Sequence, residues 1–228
     1  MSRSARHGCV GAGKILHLRS EAACIEGGWK VSELNWYVMR VDTNREEKVL
    51  ALLERQLDLG NFTPFVPKKA YPHTKGGSLL GVELKSCFPG YVFIESEKDA
   101  RCVIGSVRRV LKPKGVRYAF LYYEGSLTMK DLKGVRTNRE LKLHEMAARE
   151  YVMREEEKSK MAKLMDFVHV IGGSTACMEE GKVKVDSGPL VGHEGSIMKI
   201  NKRRLTATLE VGLYSDKKAM TVMLEVKE

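Results

Sequence analysis

The stretch Cys87-Phe88-Pro89-Gly90-Tyr91-Val92-Phe93-Ile94 decides how this chain is read. Three aromatic rings and two β-branched residues in so short a run have the composition of a β-strand. Pro89 cannot donate to a sheet ladder, and Gly90 tolerates backbone angles that other residues avoid. The strand is therefore expected to enter with a bulge or kink that tilts Phe88, Tyr91 and Phe93. Two readings stay open: a buried central strand, or rings that line an exposed docking patch.

Working outward, Asn35-Trp36-Tyr37-Val38-Met39-Arg40-Val41 is a strand by composition. Asp42-Thr43-Asn44 offers capping side chains, with Glu46 and Glu47 in the first turn of a helix. Val49, Leu50, Leu52, Leu53 and Leu57 follow at helical spacing, and Gly60 ends the run. The segment 62–71 holds two prolines, so it is expected as an edge strand. Lys75-Gly76-Gly77-Ser78 is a loop or hairpin tip, and 82–94 returns as a long strand. A short helix over 97–104 and a fourth strand over 107–111 complete a βαββαβ order. That order makes an antiparallel sheet with helices on one face.

Farther along, Thr137 or Asn138 caps a helix expected from Arg139 to about Asp166, with a weak apolar stripe of Leu141, Met146, Met153, Met161, Leu164 and Met165. Arg154-Glu155-Glu156-Glu157-Lys158 is expected to be a solvated charge run. His144-Glu145 opens like a zinc-protease helix, but Ala148 stands where the second ligand belongs. Ile171-Gly172-Gly173-Ser174 is a break. Several short strands between Val183 and Val226, with a glycine-rich turn at Asp186 to Gly195 and a basic turn at Asn201-Lys202-Arg203-Arg204, predict a small SH3-like barrel.

The 228 residues carry 39 Lys and Arg against 29 Asp and Glu, a net charge of +10. That balance favours an anionic partner: nucleic acid, or less often a membrane surface. No apolar run approaches the ~20 residues of a membrane span. The five cysteines are scattered and form no C-x-x-C pair, which supports neither a zinc site nor a disulfide framework and fits a reducing cytoplasm. No nucleophile–base pair, metal constellation or carboxylate dyad stands out, so a non-enzyme without cofactors is expected. Gly8-Cys9-Val10-Gly11-Ala12-Gly13-Lys14 looks like a phosphate-binding loop. It lacks the Ser or Thr after the lysine, a preceding strand and a clear following helix.

The residues around the aromatic run now carry a resemblance. A strand beginning Trp36-Tyr37, a helix, a proline-containing edge strand and then Phe88-Pro89-Gly90-Tyr91-Val92-Phe93 resemble the N-terminal (NGN) domain of the NusG family of transcription elongation factors. Gly188-Pro189-Leu190-x-Gly192-x-Glu194-Gly195 followed by Lys199-Ile200 resembles the KOW motif of that family's second domain. Within the family, Ser187-Gly188-Pro189-Leu190 with Lys199-Ile200-Asn201-Lys202-Arg203-Arg204 is most similar to the LoaP-type specialised antiterminators. One departure is Ser106-Val107-Arg108-Arg109-Val110, where the family usually reads Ser-Val-Pro-x-Val.

The resemblance implies an α+β protein. Its NGN domain, an antiparallel four-stranded sheet with helices at 35–137, is joined by a helical connector at 138–174 to a small SH3-like β-barrel KOW domain at 175–228. It implies that Phe65, Phe88, Tyr91 and Phe93 dock on the clamp helices of RNA polymerase, and that the KOW domain reads a nascent RNA hairpin through Lys199, Lys202, Arg203 and Arg204. His193 is expected to be a turn residue. The expected activity is suppression of pausing and termination by a cytoplasmic monomer. The alternatives are a general NusG that couples polymerase to Rho or a ribosomal protein, and a ribosomal RNA-binding KOW protein.

Residues 1–34 are expected to be an extension, disordered or not native. Glu26-Gly27-Gly28 can be encoded by a purine-rich ribosome-binding sequence, with Trp29-Lys30 as spacer and Val31 as a GTG start codon. The intact mass of the natively expressed protein is expected to correspond to a chain starting at position 31. A mass that includes Met1 overturns this.

Overall fold

A computed structural model describes residues 34–124, 137, 149–180 and 182–227. The chain divides into two units, Met1–Lys30 and Val31–Glu228, and all described residues belong to the second. Residues 1–33 of the expected extension, with the phosphate-loop-like segment, lie outside them.

Strand β1 (Asn35–Val41) is central to a four-stranded antiparallel sheet of order β2-β5-β1-β6, with β2 at Thr63–Phe65, β5 at Tyr91–Ser96 and β6 at Tyr118–Phe120. Alternation along β1 and β5 sends Tyr37, Met39, Val41, Val92 and Ile94 to one face, where helices α1 (Glu46–Gln56) and α2 (Ala100–Leu111) close a core with Val49, Leu53, Val103, Val107 and Leu111. Trp36, Val38, Phe65 and Phe93 point to the opposite face and into a second apolar cluster. The antiparallel sheet forms with α1 and α2 on one face, as expected, while a later helix packs on the other.

Several boundaries differ. The segment 107–111 is not a strand: Val103, Ser106, Val107, Val110 and Leu111 are buried at helical spacing, and α2 runs through them. With Arg108 where the related motif has proline, nothing stops the helix. Asp99, not Glu97, opens it, its Oδ1 accepting from Cys102 N at 2.7 Å. Helix α1 starts after Arg45 with no side-chain cap; Asn44 (φ 65°) instead serves the turn before it.

The long strand expected over 82–94 is broken at Cys87–Gly90, and the strand expected over 62–71 is broken after Phe65. Between these breaks β3 (Lys68–Lys75) and β4 (Ser78–Ser86) form a hairpin turned by Gly76 and Gly77, both at positive φ, as the sequence suggests. Strand β7 (Val170–Ile171) pairs in parallel with β3.

Among the described residues the expected helix over 139–166 is seen as α3 (Glu155–Leu164); 138–148 lies outside them. Just before it the chain is extended, with Val152 bridged to Tyr37 and Met153 N donating to Trp36 O at 2.8 Å.

The C-terminal strands β8 (Ser174–Glu179), β9 (Lys182–Ser187), β10 (Ile197–Asn201), β11 (Thr206–Leu213) and β12 (Asp216–Lys227) form a sheet of order β10-β11-β12-β8-β9. The expected barrel is an open ladder here, with no pairing between β9 and β10 among the described residues. Gly188 shows why glycine is needed at its turn. Its φ is +94°, and a Cβ there would lie 2.5 Å from Gly173 O and 2.6 Å from Ser174 Oγ.

The charge run Arg154–Lys158 is only partly solvated. Lys158 is buried, its Nζ donating to Leu34 O at 3.0 Å and paired with Glu155 at 2.9 Å. Glu157 reaches the tip of the β11–β12 hairpin, where Tyr214 and Ser215 both have positive φ. Its Oε2 accepts from Tyr214 N (2.8 Å) and Tyr123 Oη (2.8 Å), and its Oε1 from Ser215 N (2.9 Å). A two-residue turn of this hand favours Asn-Gly. Here Tyr-Ser is held in it by one carboxylate, by stacking of Tyr214 on Tyr123 (centroids 4.7 Å apart), and by Tyr214 Oη donating to Tyr151 O at 2.6 Å.

Glu157→Ala is expected to lower stability by about 2 kcal/mol, read as a shifted urea midpoint, because it strands three donors. Burial first, and then the Glu157 carboxylate, push the Tyr123 phenol up to about 12, against the opposing pull of Arg154 N–H; burial, then Tyr123 and Glu157, raise Tyr214 as well. Both folded-state values lie above the unfolded value near 10, so this stability is fully present below pH ~10 and is lost as pH rises through the folded values. Tyr214→Phe is expected to flatten that alkaline decline in a pH series of urea midpoints.

Candidate functional site

The aromatic run is a turn before it is a strand. Tyr91 N donates to Phe88 O (3.2 Å), Val41 N donates to Gly90 O (2.8 Å), and Gly90 N donates to the buried Glu46 carboxylate. Gly90 has φ +87°, and a Cβ would sit 3.3 Å from Thr43 Oγ1. The expected kink is therefore a left-handed glycine turn anchored by the first helix. It places Phe88 beside Phe93 (centroids 6.1 Å apart), and Phe93 beside Phe65 (5.3 Å) and Trp36 (6.1 Å).

The structure thus brings three of the four candidate docking residues into one cluster with Trp36. It does not leave them exposed: Phe93 is 0% accessible, Phe88 5% and Phe65 6%, while Tyr91 is half-buried at the rim. The open choice between a buried strand and an exposed patch resolves to burial in this arrangement. Met161 and Leu164 of α3, with Met165, join the same apolar cluster, which continues into Leu209, Met220 and Val222 of the second sheet. Strand β3 packs against β12 and against the turn Lys202–Arg204.

His169 is a member of this site that sequence patterning misses. Its ring stacks on Phe65 (centroids 3.7 Å apart, planes 16° apart), and its Nε2 lies 3.3 Å from Glu95 Oε1. The buried Glu95 also accepts from Trp36 Nε1 at 2.9 Å. His169 has φ 61°, held by Asp166, whose Oδ1 accepts from Val168 N (3.0 Å) and Val170 N (2.8 Å). Asp166 in a loop is the signal that could have pointed there, because Asp side chains commonly bond backbone N–H groups two residues on.

Of the candidate RNA residues, Lys202, Arg203 and Arg204 form one exposed 3-10 turn between β10 and β11, and Lys199 is exposed on β10. Asn201 Oδ1 accepts from Arg204 N at 3.0 Å, and Leu205 at φ 51° ends the turn, which fixes its shape. No ion pair involves these four among the described residues. His193 lies in a turn, its N–H donating to Leu190 O at 2.9 Å.

Phe93→Ala is expected to destabilise the fold by about 3 to 5 kcal/mol, as for other fully buried aromatics. Tyr91→Ala at the rim is expected to cost less than half as much. Urea midpoints compare the two, and equal losses contradict the burial assignment.

Comparison with known proteins bears on residues 34–118, which match the family model described as NusG, transcription termination factor nusG. A solved structure titled "Domain interaction in Thermotoga maritima NusG" is 19% identical, with a TM-score of 0.36, covering 85% of this chain and 94% of that one. No curated protein matches the chain. The segment similar to that family model holds β1 to α2, the Phe-Pro-Gly-Tyr turn and all four candidate docking residues.

Proposed function

We propose that the protein is a transcription elongation and antitermination factor of the NusG type, most similar to the LoaP branch. Its NGN domain engages RNA polymerase at the clamp helices, and its KOW domain at 175–228 engages a nascent RNA hairpin. The observation that carries this reading is the match of residues 34–118 to the NusG family model, with the aromatic cluster inside it. A factor bound across the elongating polymerase raises the population of that conformation over the paused one by differential affinity.

Phe65, Phe88 and Phe93 are inaccessible while α3 and the second sheet share their cluster. Docking through them therefore requires this cover to move, and His169 against Glu95, Glu157 on Tyr123 and Tyr214 stacked on Tyr123 are contacts that resist it. Tyr91, at the rim, is the candidate docking residue open to a first encounter. The exposed turn Lys202–Arg204, with Lys199, supplies cations that form no ion pair among the described residues, a pattern suited to an RNA backbone.

Two measurements on the full chain test the reading. The protein is expected to copurify with RNA polymerase, and Tyr214→Ala, which loosens the cover, to increase the amount captured. Lys202→Ala with Arg203→Ala is expected to weaken binding to a leader-RNA hairpin and to lower its log–log salt slope by about 1 to 2. Absence of polymerase capture with both the wild type and the Tyr214 variant overturns the docking. An unchanged slope and affinity reduce the basic turn to a solvated face.

A further inference from the structure

Helix α2, whose acid is the N-cap Asp99, carries a cation in the first turn where α1 carries two acids. A helix stabilises acidic residues near its N-terminus and basic ones near its C-terminus. Helix α1 follows this, with Glu46 and Glu47 in its first turn and Arg55 in its last. Helix α2 has no acid in its first turn and carries Arg101 there instead. Arg108 and Arg109 in the last turn and Lys112 at the C-cap are accounted for by the dipole; Arg101 is not.

The segment 100–117 contains Arg101, Arg108, Arg109, Lys112, Lys114 and Arg117 and no Asp or Glu, so a local charge of +6 sits in eighteen residues of a chain whose net charge is +10. All six are exposed. Arg117 pairs with Asp42 at 3.2 Å, and no carboxylate lies within 4.0 Å of the other five among the described residues.

The helical period aligns three of them. At 100° per residue Arg101, Arg108 and Lys112 fall within about 40° of one another, opposite the buried Val103, Val107 and Val110. Gly105 lies in the same stripe and leaves a gap, with nothing within 4 Å of where its Cβ would be. From Arg101 to Lys112 the row is about 16 Å long, close to the axial rise of about five base pairs at ~3.4 Å each. The rigid helix fixes the spacing before any ligand arrives. The stripe lies on the helix-covered side of the first sheet, whereas Trp36, Phe65 and Phe93 are on the other.

We propose that this α2 stripe is a sequence-independent binding site for the phosphodiester backbone of a nucleic-acid duplex. It is separate from the Lys202–Arg204 turn and does not depend on that turn's reading RNA. The contacts are phosphate contacts: they set orientation and affinity and carry no base information. Duplex DNA and duplex RNA share this chemistry, and the test separates them.

The test uses the full chain and 20-base-pair DNA and RNA duplexes of one sequence, titrated by fluorescence anisotropy at several salt concentrations. The variant Arg101→Gln, Arg108→Gln, Lys112→Gln keeps good helix formers at exposed positions. It is expected to bind at least 10-fold more weakly and to lower the log–log salt slope by about 2 to 3, near 0.9 for each phosphate that is no longer neutralised. The duplex that shows this effect identifies the ligand. The control Lys48→Gln, Arg55→Gln, Lys163→Gln removes the same charge from exposed positions elsewhere and is expected to keep the wild-type slope. An unchanged slope on both duplexes, or an equal fall in the control, overturns the proposal. If the triple variant does not fold by circular dichroism, the singles Arg101→Gln and Arg108→Gln each carry the same test, at about 0.9 per variant.

Discussion

The first sheet has two apolar faces, and both must be covered. Phe93 and Trp36 on one side are as buried as Val92 and Ile94 on the other. A sheet of this kind cannot stand with one face in water without exposing a large aromatic patch. The rest of the molecule follows from how the two covers are supplied. Helices α1 and α2 provide one, drawn from the same stretch of chain as the sheet, and its buried residues all lie between Tyr37 and Leu111. The other comes from α3, the His169 loop and a sheet that begins more than fifty residues after the first one ends.

The difference in origin is a difference in strength of coupling. The local cover is knit mainly by hydrophobic burial over a closely spaced set of side chains. The distant cover adds polar bonds that must all form together. Glu95 binds Trp36 and faces His169, while Glu157 holds a hairpin tip whose two residues would otherwise resist positive φ. Each carboxylate serves groups from separate segments. Losing either leaves several partners unsatisfied rather than one.

Much of this is legible in the sequence. The alternation in β1 and β5, the helical spacing of α1, the Gly76-Gly77 tip and the basic turn all stand where residue pattern places them. The departures have physical causes. Val107-Arg108-Arg109-Val110-Leu111 fits a strand by composition, but tertiary packing uses its helical period, already set by Val103. The Phe-Pro-Gly run reads as part of one long strand because local propensity does not report that Glu46 anchors Gly90 from another element. Glu157 and Lys158 read as solvated because their partners, Tyr214 and Leu34, are remote in sequence. Burial of the docking rings is equally hidden, since aromatic composition is the same whether a surface is covered by its own chain or by another.

That last ambiguity has a physical basis. A face rich in Trp and Phe is what an interface anchor needs, and it is also what an intramolecular cover needs. One surface can serve both only if the two occupants compete, so the affinity of the outside partner is reduced by the fraction of time the inside one is in place. The inside cover here is held by the shared apolar cluster and by polar contacts at its periphery, with Tyr91 half-open at the rim. The helix-covered face has no such alternative, because its cover belongs to the same compact stretch. A polyanion on the exposed stripe of α2 therefore need not displace anything, and the two faces of one sheet can act independently.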